Sequence, residues 1–159
     1  MRVLQLMRST VRVCGLHDSL ATAARIMWDS DCGCVPVVKE DGRLAGMITD
    51  RDVCMAAYLG GTSLATVEVE SAMSRTVHSC RAQDSLASAE NLMRAAQVRR
   101  LPVVDAEERV VGILSLSDIA REYARAHRLE REGIRAEQVA GTLAAVCQPH
   151  DRCASSAAA

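Results

Sequence analysis

Shifted against itself by sixty-six positions, the chain aligns without a gap, residues 7–52 onto 73–118, and sixteen of the forty-six paired positions are identical. Met7-x-x-Thr10-Val11 falls on Met73-x-x-Thr76-Val77, Cys14 on Cys80, and Asp18-Ser19-Leu20-Ala21 on Asp84-Ser85-Leu86-Ala87. Met27 falls on Met93, Pro36-Val37-Val38 on Pro102-Val103-Val104, Gly46 on Gly112, and Asp52 on Asp118. Other pairs exchange one apolar residue for another, as Val35 does with Leu101 and Ile48 with Leu114. This is a duplication, and it restricts the chain to folds made of two similar halves.

Each copy reads as helix, strand, strand, helix. Asp18 or Ser19 can cap a helix on which Leu20, Ala23, Ala24 and Met27 fall at i, i+3, i+4 and i+7. Leu86, Ala89 and Met93 keep most of that stripe in the second copy. Val35-Pro36-Val37-Val38 reads as a short buried strand whose proline sits near its start, where a missing N–H is tolerated. Asp41-Gly42 signals a hairpin turn, with a return strand over 44–49. The second copy has Ala106-Glu107-Glu108 there, so its turn is expected to be of a different type. A helix follows Thr49 and stops at Gly60-Gly61. The second copy's last helix runs from about 117 past Tyr123 into RAHRLERE, a solvated charged face that Gly133 breaks. A further helix covers 136–147 and ends before Pro149. The expected boundaries are a first motif over 1–60, a linker over 61–72, a second motif over 73–128, a helical extension over 129–148 and a disordered tail over 149–159.

Composition removes several classes of function. A formal charge of −1 gives no electrostatic reason for a nucleic-acid or anionic-membrane partner. With only Trp28, Tyr58 and Tyr123 as aromatics, stacking platforms for single-stranded nucleic acid cannot be built. No stretch approaches the roughly 20 apolar residues of a membrane span, and the first residues lack a signal-peptide core. Seven scattered cysteines do not make a secreted disulfide framework, so the expectation is a reduced, cytoplasmic protein. Neither a Ser–His–Asp constellation, nor a P-loop, nor a metal-binding His pair is recognisable, so no enzymatic activity is expected.

VPVVKEDGRLAGMITDRDV and LPVVDAEERVVGILSLSDI, each preceded by its Met-x-x-Thr-Val segment and helix, resemble a tandem pair of CBS motifs, the Bateman module. The resemblance covers about residues 1–128, and the pattern is similar to small stand-alone bacterial proteins of two such motifs. It implies an α/β (α+β) fold of two βαββα units packed sheet to sheet, with two clefts between them for adenosine-containing ligands. It also implies a homodimer shaped like a flat disc and a non-catalytic sensor that passes occupancy to an unidentified downstream protein. AMP or ATP is the expected ligand, and no other cofactor is required.

Thr49-x-x-Asp52 and Ser115-x-x-Asp118 read first as capping boxes, in which hydroxyl and carboxylate satisfy free amides of a helix's first turn. The same groups can serve a polar ligand, because amide donors and the helix dipole favour anions there. The resemblance implies that Asp52 and Asp118 accept from ribose hydroxyls and that Arg51 faces phosphate, where a guanidinium bonds bidentately. Ser117 replaces that arginine in the second copy, which weakens its claim to phosphate unless Arg99 and Arg100 compensate. Thr10 and Thr76 open the cleft-lining segments. Val11 and Val77, with Val35-Pro36 and Leu101-Pro102, are expected to form an aliphatic slot for adenine.

Cys32 and Cys34 align with Val98 and Arg100, so Cys32 reads as a small buried apolar residue and Cys34 as cleft-lining. Two thiols one residue apart fall short of a four-ligand zinc site. Further ligands would have to come from His17, Cys14, His78, Cys80, His127, Cys147, His150 or Cys153, which are spread along the chain. A redox- or metal-responsive protein using Cys32 and Cys34 is the rival reading, and a purely structural dimerisation module the third.

Overall fold

The two halves start their helices in the same way. A computed structural model of the protein describes residues 1–128 and 135–148; the expected break at Gly133, the tail over 149–159, His150 and Cys153 lie outside the described residues. In the first half β1 (Cys14–Gly15) leads to α1 (Leu20–Asp29), whose N-cap is Ser19: its hydroxyl accepts from the Thr22 amide at 3.2 Å. Asp18 serves the preceding turn instead, accepting from the Gly15 amide at 2.7 Å. Leu20, Ala23 and Met27 are buried, as the helical stripe requires. β2 (Cys34–Val38) and β3 (Leu44–Thr49) follow, then α2 (Asp50–Gly60), which stops where Gly61 takes φ 57°. A single turn, α3 (Val69–Ala72), lies in the segment expected to be only linker. The second half repeats the order with β4 (Cys80–Arg81), α4 (Leu86–Ala96), β5 (Arg100–Val104), β6 (Val110–Ser115) and α5 (Leu116–Arg128); α6 (Ala136–Val146) is added at the end.

Each half forms its own three-stranded sheet, β1-β2-β3 and β4-β5-β6, parallel in the first pair and antiparallel in the second. The expectation that the two hairpin turns differ is wrong. Gly42 has φ 81° and Glu108, its equivalent, has φ 61°; Lys39 N donates to Arg43 O at 2.9 Å as Asp105 N does to Arg109 O at 3.0 Å. The geometry is kept although a glutamate there carries left-handed strain. Asp105 helps to hold the turn, its Oδ1 accepting from the amides of Glu107 and Arg109.

The leading segments cross between the halves. Arg8 exchanges backbone hydrogen bonds with Ile113 on β6, and Ser74 with Met47 on β3, at 2.9–3.0 Å. Val3 joins the core of the second half, while its equivalent Val69 joins that of the first. Two glycines permit the crossing. A Cβ on Gly46 would stand 2.5 Å from Met73 Sδ and 2.9 Å from Ser74 O, and one on Gly112 would stand 2.9 Å from Arg8 O and 3.0 Å from Met7 Sδ. Among the described residues, no helix is long and apolar enough to cross a membrane.

Candidate functional site

Strand alternation decides which residues of β2 and β5 face the space between the halves. Val35, Val37, Leu101 and Val103 point into the two cores and are fully buried. Cys34, Pro36, Arg100 and Pro102 face the other way and border cavities. The expected aliphatic slot therefore does not include the side chains of Val35 and Leu101, which stay in the cores.

Two cavities related by the repeat result. The first, of about 460 Å³, brings Thr10, Val11 and Pro36 of the first half against Ser115 and Asp118 of the second. The other, of about 510 Å³, brings Thr76, Val77 and Pro102 of the second half against Thr49 and Arg51 of the first. Cys34 and Arg100, themselves equivalent positions, border both. Each cleft thus takes its apolar wall from one copy and its helix start from the other.

Both helix starts are capping boxes. Asp52 Oδ2 accepts from the Thr49 amide at 2.9 Å and the Thr49 hydroxyl at 2.7 Å, while the Thr49 hydroxyl accepts from the Asp52 amide at 3.2 Å. Asp52 does not line the Thr49 cleft. Asp118, 7% exposed, does line its own. Its Oδ2 accepts from the Ser115 amide at 2.9 Å and from the Ser115 hydroxyl; its Oδ1 meets Arg8 Nε at 3.3 Å and the Arg121 guanidinium.

The second site is not poor in phosphate-binding groups. Arg8, Arg12, Arg100 and Arg121 all border the Asp118 cleft, whereas Arg51, Arg99, Arg100 and His78 border the Thr49 cleft. Arg99, weighed as compensation for Ser117, stands in the opposite cleft. Arg8 and Arg12 were invisible to a motif-by-motif reading because their segment crosses to the other half. Val146, Cys147 and Gln148, just beyond or at the end of α6, also line the Thr49 cleft.

The thiols are suited to packing. Burial pushes Cys34 up to about 11, against the opposing pull of Arg100, and raises Cys14 to about 12 and Cys80 to about 11. A thiol held so high is not a ready thiolate nucleophile. Cys32 is half-buried rather than buried, donates to the Cys34 carbonyl at 3.4 Å and borders the Asp118 cleft. Among the described residues, the one group of three metal-type ligands within 4.8 Å of each other is His17, Glu68 and Glu70, and it includes no cysteine. Glu68, hydrogen-bonded to His17 Nδ1 at 3.2 Å, raises that imidazole above its ordinary value.

A family model of the CBS domain matches residues 3–58 and 68–125. Hypoxic response protein 1 of Mycobacterium tuberculosis is 35% identical over 116 residues, 73% of this chain and 80% of that protein. The CBS domain-containing protein YhcV of Bacillus subtilis is 37% identical over 114 residues, 72% of this chain and 79% of that one. Among solved structures, hypoxic response protein I with two coordinated zinc ions superposes with a TM-score of 0.69 at 34% identity, over 76% of this chain and 98% of that one. The CBS domain pair of protein MJ0100, in complex with 5′-methylthioadenosine and S-adenosyl-L-methionine, gives 0.69 at 26% identity, over 77% and 99%.

Proposed function

This chain belongs to the CBS domain family, and from that premise we propose that it is a non-catalytic sensor binding an adenosine-containing ligand in the clefts between its two motifs. The observation that carries the reading is the pair of repeat-related cavities. Each sets a threonine–valine segment and a proline strand against a hydroxyl-bearing helix start, and their volumes fall in the range of about 300–1,000 Å³ usual for small-ligand sites. In the Asp118 cleft, four arginines suit a phosphate or polyphosphate, and Asp118 suits ribose hydroxyls once a ligand phosphate draws Arg8 away. AMP and ATP are therefore the first ligands to test there. The adenosine derivatives held by the MJ0100 pair extend the panel to S-adenosylmethionine and methylthioadenosine. Homodimerisation belongs to the same reading, supported by Trp28, Tyr58 and Leu59, which stand 87%, 80% and 74% exposed on α1 and α2.

Zinc is the competing ligand, because a relative of 34% identity holds two zinc ions. A melting-temperature panel separates the readings, using AMP, ADP, ATP, NAD, S-adenosylmethionine, methylthioadenosine, zinc and oxidant. Ligand at about 100 times Kd adds about 2.7 kcal/mol, or roughly 5–10 °C for a chain of this size. A nucleotide shift abolished by Arg51→Ala with Asp118→Ala supports the proposal. A response to zinc or oxidant alone, lost in Cys32→Ser with Cys34→Ser or in His17→Ala, replaces it with the metal or redox reading. A protein indifferent to the whole panel is a structural dimerisation module.

A further inference from the structure

Among the described residues, the first half has no counterpart of α6. This helix packs on α4 and α5, where Val139, Thr142 and Val146 meet the core of the second half. Among the described residues no helix covers the equivalent groove between α1 and α2, a cavity of about 520 Å³ bordered by Ala24, Met27, Trp28, Val53 and Leu64. Positions 24 and 28 correspond to Glu90 and Arg94, so polar groups appear in the half that carries the extra helix.

Those groups are incompletely satisfied. Glu90 is 2% exposed, and neither its Oε1 nor the buried Nε of Arg94 has a hydrogen-bond partner among the described residues. The Thr142 hydroxyl donates to the Gln138 carbonyl at 2.8 Å, inside α6. Two valines and a threonine over such a carboxylate hold down an eleven-residue helix, a length that is marginal on its own in water. A short helix seated on a buried carboxylate oxygen that lacks a partner opens more readily than the sheets.

The C-terminal end of the same helix reaches the Thr49 cleft. Val146, Cys147 and Gln148 form part of its wall, and the Arg99 guanidinium donates to Cys147 Sγ at 3.5 Å. The Asp118 cleft takes no residue from this segment. We propose that α6 is a lid of the Thr49 cleft alone: a ligand seated there holds the helix down, and an empty cleft lets it lift from α4 and α5. This rests on reading the clefts as nucleotide sites. Coupling between two equilibria is reciprocal, so loosening α6 weakens binding in the Thr49 cleft and leaves the Asp118 cleft unchanged.

Amide hydrogen exchange on the full chain, with and without saturating AMP or S-adenosylmethionine, is the test. The expected result is slower exchange over 136–148, by about fivefold or more, together with protection of 49–51 and 74–78. Glu90→Gln keeps the size of the side chain and removes the buried charge. It is expected to slow exchange over 136–148 before ligand is added and to tighten the Thr49 cleft by the same factor. Val146→Asp is expected to do the opposite at that cleft only. Protection of the Thr49 cleft with 136–148 unchanged overturns the lid and leaves the ligand reading intact. Protection confined to 8–12 and 115–121 overturns the lid as well. No protection anywhere removes the ligand reading, and the lid with it.

Discussion

Gly46→Ala and Gly112→Ala test the crossing of the leading segments. Neither glycine has a positive φ, so alanine would by itself stabilise each site by about 0.4–1 kcal/mol through the unfolded chain. Contact reverses that sign. At position 46 the new methyl would meet Met73 Sδ at 2.5 Å, which can swing aside, and the backbone oxygen of Ser74 at 2.9 Å, which cannot move without stretching its hydrogen bond from Met47 N. Overpacking of this kind costs about 1–3 kcal/mol, and a weakened backbone bond adds up to about 1 kcal/mol. The net expectation is a loss of about 1–3 kcal/mol, read as a fall in Tm of roughly 2–12 °C by calorimetry. At position 112 the carbonyl of Arg8 stands equally close and the sulfur of Met7 is farther, so the loss should fall in the lower half of that range. The two variants also differ in which cleft they disturb: Gly46→Ala displaces the segment leading to Thr76, and Gly112→Ala the one leading to Thr10. A rise in Tm for either variant would refute the crossing, because glycine-to-alanine gains appear only where the methyl finds room.

Asp118→Asn keeps the shape of the cap but removes the charge that faces Arg8 and Arg121; it should weaken adenine-nucleotide binding about 10–100-fold by titration calorimetry, the worth of a charged hydrogen bond. Burial raises Glu90 above its ordinary value, outweighing Arg94 and Thr142, so the folded state holds that proton more tightly than the unfolded one. Its contribution is therefore present below the ordinary carboxylate value and lost as pH rises through the raised one, and wild type should lose stability relative to Glu90→Gln as pH rises above the ordinary carboxylate range. Equal slopes in denaturant melts of the two proteins would remove that assignment. Gly42→Ala forces a side chain into the left-handed region and should lower stability by about 1 kcal/mol. Glu108→Gly should change the melt little, because strain relief is offset by chain entropy and loss of the exposed Arg81 pair.

What the sequence displayed was everything that repeats along one copy. Leu20, Ala23 and Met27 recur as Leu86, Ala89 and Met93, and both triads are buried because a helix against a sheet needs one apolar stripe. The alternation of β2 and β5 was legible too, although it also meant that Val35 and Leu101 belonged to the cores and only their neighbours to the clefts. Local rules failed at the second turn, where Asp105 and the pairing of the two hairpins, Leu44 N to Glu108 O at 2.9 Å, hold a glutamate in a glycine's conformation. They failed more consequentially at the clefts. Arg8 and Arg12 precede the first motif's helix in sequence but sit on the second half's helix start, and no periodicity encodes that exchange. The signal lay in Gly46 and Gly112, which a solitary strand does not need. Two identical glycines at repeat-equivalent strand positions indicate a backbone passing overhead, and what passes is the other copy's leading segment. Once that is seen, the unequal arginine content of the two clefts follows from the sequence: Arg8 and Arg12 at one site are Ser74 and His78 at the other.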